Sequence, residues 1–282
     1  MGRTENINVF QDTMNLCKNN DRIRESVHNS AQGQKLILEG DAIAEPDKKR
    51  YKEKAQITVS KKRTFEAASA YKDTKTAVHN FASASNPGGG VERGANAQEE
   101  CLCRCSGLFK CLNAPDAWNG FYMAHRAEHN PIHNDDIIYT PDVLVFKSDT
   151  VKPELMGEAD WYNVDVITCA APNLREKPSN AFNTGDGKDA IKITDKDLLA
   201  IHEKRLRRIL DVALSNKVET IVLGAFGCGA FMNNPNVVAQ ASKNVVNEYL
   251  YAFKNIEFAV YCSPKDDTNY RIFDRVLKPY TK

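Results

Sequence analysis

The sequence predicts a three-layer α/β/α fold preceded by a helical N-terminal extension. Three observations carry the prediction. From about residue 76, short apolar runs alternate with amphipathic helical stretches, the pattern of a sheet with helices on its faces. The runs are apolar throughout rather than at every second residue, as strands covered on both sides are. Before residue 76 the chain is polar, with Val9-Phe10, Met14, Cys17, Ile23 and Val27 at near-helical spacing.

Residues 1–75 therefore read as the helical extension, punctuated by Gly33 and Gly40, and residues 76–282 as the main domain. Strands are expected at 76–81, 143–146, 164–169, 220–223 and 257–262. The clearest helix covers 195–215: Thr194 suits its N-cap, and Leu198, Ile201, Leu206, Ile209, Leu210 and Ala213 form one apolar stripe. A second helix is expected over 235–253, with Asn234 at the cap and Pro235 at the first helical position, where a missing N–H is no loss. Segments 115–139 and 173–189 read as long loops, which in a compact domain often carry function.

Composition narrows the function classes. A chain of 282 residues, 42% hydrophobic and 27% charged, can bury a sizeable core. No apolar run approaches the roughly 18 residues that would span a bilayer. The first residues lack the apolar stretch of a signal peptide, and Asn6 stands where a myristoylation signal has Ser or Thr. The expectation is a cytoplasmic protein with no membrane partner. A net charge of +1 argues against a broad basic face for nucleic acid, so no direct DNA binding is expected. The clusters Lys48-Lys49-Arg50 and Lys61-Lys62-Arg63 read as solvated surface. Eight cysteines in a chain of this size read as reduced thiols, mostly packed as small apolar groups. The alternating Cys101, Cys103 and Cys105 point in different directions on a helix and do not converge on one ion. His125, His129 and His133 have four-residue spacing, but Pro131 interrupts any helix there. No metal and no cofactor are expected.

The chemistry concentrates in two glycine loops. In the first, a strand ends near Phe81 and is followed by Asn86-Pro87-Gly88-Gly89-Gly90-Val91, then Gln98-Glu99-Glu100 at the start of a helix. Consecutive glycines admit close approach of a ligand to the backbone and leave amides free to point at a phosphate or a sugar. Adjacent glutamates on a helix diverge by about 100°, so the pair is expected to divide two tasks between them. In the second loop, the strand at 220–223 runs into Gly224-Ala225-Phe226-Gly227-Cys228-Gly229-Ala230-Phe231 and then a helix N-terminus. Both loops would lie beyond the carboxyl ends of strands of one sheet, where α/β proteins bind ligands. Together they could enclose a diphosphate, with Phe226 and Phe231 packing on a ribose or a base.

Taken together, these residues resemble the microbial-type poly(ADP-ribose) glycohydrolases, which are built on a macrodomain with a mixed central sheet. The family signature is three glycines followed shortly by Gln-Glu-Glu, here Gly88-Gly89-Gly90 and Gln98-Glu99-Glu100. A second is Gly-x-x-Gly-Cys-Gly-x-Phe, here Gly224 to Phe231. Smaller matches are Tyr139 to Val143 and Thr168 to Asn173. One departure is Asn233-Asn234-Pro235, where family members often have Asn-Asp-Pro; either residue caps a helix.

The resemblance implies a metal-independent glycosidase that cleaves ribose–ribose O-glycosidic bonds of poly(ADP-ribose) and releases ADP-ribose. It implies Glu100 as the acid/base residue and Glu99 as the group that positions ribose hydroxyls. Asn86, Gly88, Gly89, Gly90, Val91 and Gln98 then belong to the ribose and phosphate side, and Gly227, Cys228, Gly229, Ala230 and Phe231 to the diphosphate and terminal ribose, with Phe226 nearby. Partners would be the polymer or an ADP-ribosylated protein, and the chain would act as a monomer. Two other readings stay open at this point: a macrodomain that binds ADP-ribose without cleaving it, and a hydrolase of mono-ADP-ribosyl or O-acetyl-ADP-ribose substrates.

Overall fold

The structure, a computed structural model, describes residues 1–281. Two helices open the chain, α1 (Arg3–Asn19) and α2 (Asp21–Gln32), with the Asn20 side chain between them accepting from Ile23 N at 3.0 Å. This is the helical N-terminal region the sequence predicts. The rest of residues 1–75 departs from the expected helical extension. It contributes β1 (Lys35–Ile37), β2 (Gln56–Ser60) and the short α3 (Thr64–Ala68). After β3 (Thr76–Ala82) come α4 (Gln98–Cys105), α5 (Leu108–Leu112), α6 (Pro115–Ala117) and α7 (Met123–Glu128), then β4 (Ile137–Val145) and β5 (Tyr162–Ala170). The last third holds α8 (Asp195–Ser215), β6 (Thr220–Leu223), α9 (Pro235–Val246), β7 (Asn255–Ala259) and α10 (Thr268–Leu277).

The seven strands form one sheet in the order β1-β4-β5-β3-β6-β7-β2. β1 and β4 run antiparallel to their neighbours, and β5, β3, β6, β7 and β2 pair in parallel. Both edge strands thus come from before residue 76, and the division expected at residue 75 falls inside the sheet. Side chains alternate between two cores, as the pleat requires. Ile221 and Leu223 of β6 and Ile167 and Cys169 of β5 join α8, α9 and α10 on one face. Val222, Val164 and Val166 join α3, α4 and α5 on the other. Neither face meets water, which is why the strands read as unbroken apolar runs.

The helix starts follow the local chemistry. Thr194 Oγ1 accepts from Asp197 N at 3.1 Å, and Asn234 Oδ1 accepts from Asn236 N at 3.1 Å with Pro235 in the first turn. α9 stops at Val246, earlier than expected, and Tyr249, Ala252 and Phe253 continue its apolar spacing from a buried turn. The expected loop over 115–139 is mostly ordered into α6, a π-helical turn at Trp118–Tyr122, α7 and the start of β4. The stretch from 173 to 189 holds no helix or extended strand. Among the described residues no helix is long and apolar enough to cross a membrane.

Candidate functional site

β3 delivers the first glycine loop to the carboxyl edge of the sheet. Gly88 and Gly89 sit at φ +64° and +60°, a left-handed conformation that suits glycine. Close approach excludes other residues as well: a Cβ on Gly89 would stand 2.5 Å from Glu100 Oε1 and 3.1 Å from Glu99 Oε2. A Cβ on Gly88 would meet the Phe109 ring at 2.7 Å. The backbone folds on itself here, with Gly89 N donating to Asn86 O at 2.9 Å and Val91 N donating to Gly88 O at 3.1 Å. Gly90 N donates to Glu100 Oε1 at 2.9 Å.

The two glutamates open α4, where the first-turn amides and the helix dipole favour negative charge. Both are buried, Glu99 at 3% and Glu100 at 7% exposure. Glu99 accepts from Ser83 N at 2.8 Å and from Asn80 Nδ2 at 3.4 Å. Burial, reinforced by the Glu100 carboxylate next to it, holds the Glu99 carboxyl well above the usual range. Glu100 Oε2 is buried without a hydrogen-bond partner. The expected divergence of the pair is incomplete. Both carboxyls bend back to Gly89, because the loop wraps over the helix start and long side chains reach it from either side. Gln98 braces this corner: it accepts from Phe81 N at 2.9 Å and donates to His79 O and Thr64 Oγ1.

The second loop leaves β6 and ends in α9. Gly227 has φ +76°, and a Cβ there would stand 2.7 Å from Ala171 Cβ and 2.8 Å from Asn233 Nδ2. Asn233 ties the loop together: its amide nitrogen donates to Pro172 O, Gly227 O and Phe231 O, and its oxygen pairs with His202 Nε2 at 2.8 Å. Nothing stands within 4 Å of where a Gly229 Cβ would be, so that peptide faces open space.

A cavity of about 310 Å³ lies between the loops, lined by Gly89, Gln98, Glu99 and Glu100 on one side and Gly227, Gly229, Ala230 and Phe231 on the other. Other expected site residues stand behind this wall. Val91 is buried, and Gly88 and Gly90 support Gly89 from either side. Asn86 faces outward, accepting from Arg126 Nη2 at 2.7 Å and donating to Phe182 O at 3.3 Å. Cys228 turns its Sγ toward Phe226 O, and burial pushes its thiol far up. Phe226 does not reach the cavity: it is 6% exposed and packs on His79, with ring centroids 4.4 Å apart, and on Phe81 and His202. Its place in the loop put it among candidates, but the sharp turn between Gly224 and Gly227 points it inward.

The far end of the cavity is built by residues the sequence did not single out: Arg63, Asp149, Tyr261 and Asn269. Arg63 is not solvated as its cluster implied. Its guanidinium lies 3.9 Å from the Tyr261 ring centroid and 4.0 Å from Asp149 Oδ1. Burial raises the Asp149 carboxyl to about 6. These residues come from three distant segments, and no local pattern links them. The nitrogens Nδ1 of His125 and His133 pair with Phe121 O and Ala171 O.

A mixed sheet between helical layers, with two glycine loops and a carboxylate pair around a cleft at its carboxyl edge, defines a macrodomain-like nucleotide-sugar protein. Comparison with known proteins narrows this. The family model for the microbial-type PARG catalytic domain, PARG being poly(ADP-ribose) glycohydrolase, matches residues 4–148, just over half of the chain. The chain therefore belongs to the microbial-type poly(ADP-ribose) glycohydrolase family. Solved structures agree. The enzyme from Deinococcus radiodurans, in complex with ADP-ribose, is 31% identical over 90% of this chain and 97% of its own, with a TM-score of 0.75. The enzyme from Thermomonospora curvata is 27% identical over 97% of this chain and 100% of its own, with a TM-score of 0.80. The Thermomonospora enzyme bound to the inhibitor ADP-HPD matches with a TM-score of 0.78 at 27% identity, covering 97% of this chain and 99% of its own. No curated protein matches the chain.

Proposed function

We propose that the chain hydrolyses poly(ADP-ribose), cutting the ribose–ribose O-glycosidic bond and releasing ADP-ribose, with Glu100 as general acid and base. The observation that carries the reading is the state of the Glu100 carboxyl. Glu100 lines the cavity; one of its oxygens is fixed by Gly90 N, and the other is buried with no partner. Such a group is aimed and lacks one hydrogen bond, which a glycosidic oxygen supplies. The bond breaks through an oxocarbenium-like transition state. Glu100 gives its proton to the departing ribose oxygen, then as carboxylate takes a proton from the water that adds to the anomeric carbon.

Glu99, fixed by Ser83 N and Asn80, positions the ribose hydroxyls. The peptides of Gly227, Gly229 and Ala230 hold the diphosphate at the α9 end, and Phe231 packs on the terminal ribose. Residues 1–75 and 76–282 serve one site in this reading, since Arg63 and Thr64 line the same cavity. The relatives' bound ADP-ribose and ADP-HPD support the substrate class. All eight thiols are unpaired, which suits a reducing, cytoplasmic setting.

The test is incubation of the purified protein with labelled poly(ADP-ribose), with Glu100→Gln alongside. The expected outcome is release of ADP-ribose by the unmodified protein and a loss of about 10²–10⁴-fold in kcat for the variant, with ADP-ribose affinity within several-fold. Binding without release by the unmodified protein would reduce the chain to an ADP-ribose-binding module.

A further inference from the structure

Beside the catalytic carboxylates an aromatic ring stands in solvent on a loop that is itself firmly held. Phe182 is 61% exposed. It lies in the irregular stretch after Asn173, and that stretch is anchored by a buried cluster. Asp186, 1% exposed, accepts from Ser85 Oγ at 2.5 Å and from Asn173 Nδ2 at 2.7 Å, with His133 Nε2 at 3.5 Å. Gly185 is pressed so close that a Cβ would meet Ser85 Oγ at 2.6 Å. Ser85 directly precedes the first glycine loop, so the two segments are locked together. Asn86 Nδ2 donates to Phe182 O at 3.3 Å and completes the lock.

Arg93 links the ring to the catalytic carboxyl. Its guanidinium lies 4.6 Å from the Phe182 ring centroid. Arg93 Nη2 and Glu100 Oε1 each stand 3.7 Å from the point where a Gly90 Cβ would be. The cation and the carboxyl thus flank one glycine, and the ring is stacked on the cation. The pinned loop holds the ring in one place, with most of its surface open to a flat ligand.

We infer that Phe182 and Arg93 form the subsite for the departing ADP-ribose unit of the polymer, the ring taking its adenine face and the guanidinium its phosphate. This rests on the hydrolase reading above. The departing oxygen belongs to that unit's adenosine ribose, so its adenine lies one sugar away from the bond that Glu100 breaks. A subsite for it must therefore adjoin Glu100 on the side away from the diphosphate loop, and Phe182 and Arg93 adjoin it through Gly90. Stacking on an aromatic ring accepts a purine, and an arginine pairs with phosphate oxygens.

The test compares Phe182→Ala and Phe182→Tyr with the unmodified protein. Initial rates are measured on labelled poly(ADP-ribose), and ADP-ribose affinity by calorimetry. Phe182→Ala is expected to lower kcat/KM on polymer about tenfold, chiefly through KM, as loss of one base–ring stack does. Phe182→Tyr should restore it, and ADP-ribose affinity should stay within twofold, because the released unit binds elsewhere. Polymer cleavage within twofold of normal by Phe182→Ala overturns the subsite, and so does a parallel loss of ADP-ribose affinity. No cleavage by the unmodified protein instead sinks the hydrolase reading itself.

Discussion

The two glycine loops look alike in sequence and differ in how they are held. The first, around Gly88–Gly90, is closed by side-chain carboxylates: Gly90 N rests on Glu100, and Gly89 leaves no room for a Cβ beside it. The second, from Gly224 to Asn234, is closed by a neutral amide, Asn233, which gathers three carbonyls and rests on His202. One loop is held by the carboxylate pair that lines the cavity, and the other has its shape fixed from behind. Loops with the same backbone economy are therefore completed by side chains of different chemistry, ionisable in one and neutral in the other.

That contrast can be broken. Beyond the Glu100→Gln loss of turnover, the largest effect is expected from Gly89→Ala. The added methyl must displace the Glu100 carboxyl from 2.5 Å, and the residue must keep φ +60°. A displacement on the order of 1 Å at a reacting group removes roughly 10²-fold in rate, and backbone strain costs about 1–3 kcal/mol of stability. Activity assays and urea denaturation of the variant measure both; near-normal kcat would mean that the first loop does not set the carboxyl's position. Asn233→Ala should act on the other quantity. The buried Pro172 carbonyl loses its side-chain donor, and the Gly227 and Phe231 carbonyls keep only their backbone partners, so stability should fall by about 1–3 kcal/mol. ADP-ribose binding should weaken about tenfold, since a misplaced donor peptide loses roughly one good hydrogen bond, while kcat at saturation stays within threefold. A kcat loss as deep as that of Gly89→Ala would erase the distinction between the loops.

A final effect, on stability rather than on rate, is a pH dependence at the second loop's support. His202 is held neutral by burial, its imidazole lowered from 6.5 to about 4, and His79 beside Phe226 is lowered to about 3 for the same reason. Unfolded imidazoles take up protons near 6.5 while these do not, so the stabilisation is complete above that pH. It is lost as pH falls from 6.5 toward 4. For His202 the change amounts to at most about 3 kcal/mol. Denaturation midpoints at pH 7 and pH 4.5 should show the fall, and His202→Gln should show a smaller one. An equal fall in the variant would assign the acid sensitivity to other buried imidazoles, His79 among them.

Much was legible without coordinates. Val164–Cys169 and Thr220–Leu223 announced themselves because a strand covered on both sides needs apolar residues at every position. Thr194 and Asn234 announced their helices because capping is a contact within a few residues. Gly88-Gly89-Gly90 with Glu99-Glu100 announced one wall of the cavity for the same reason: a loop and the helix start it wraps are neighbours in the chain. β1 and β2 were missed, since Lys35-Leu36-Ile37 is too short to show a period and edge strands carry polar residues. The inward turn of the Phe226 ring was not legible for a related reason: loop membership says nothing about which way a side chain turns.

By itself the sequence determined the layered fold, the two glycine loops and the carboxylate that faces the cleft, because each is written in residues close together along the chain. Only the tertiary structure decided what surrounds them. Arg63, Asp149 and Tyr261 meet across the cavity, Asp186 locks a distant loop to Ser85, and Arg93 comes to lie between Phe182 and Glu100. Such contacts depend on sheet order and on how the loops cross above it, and strand order is set by packing of the whole chain rather than by any segment's own preference.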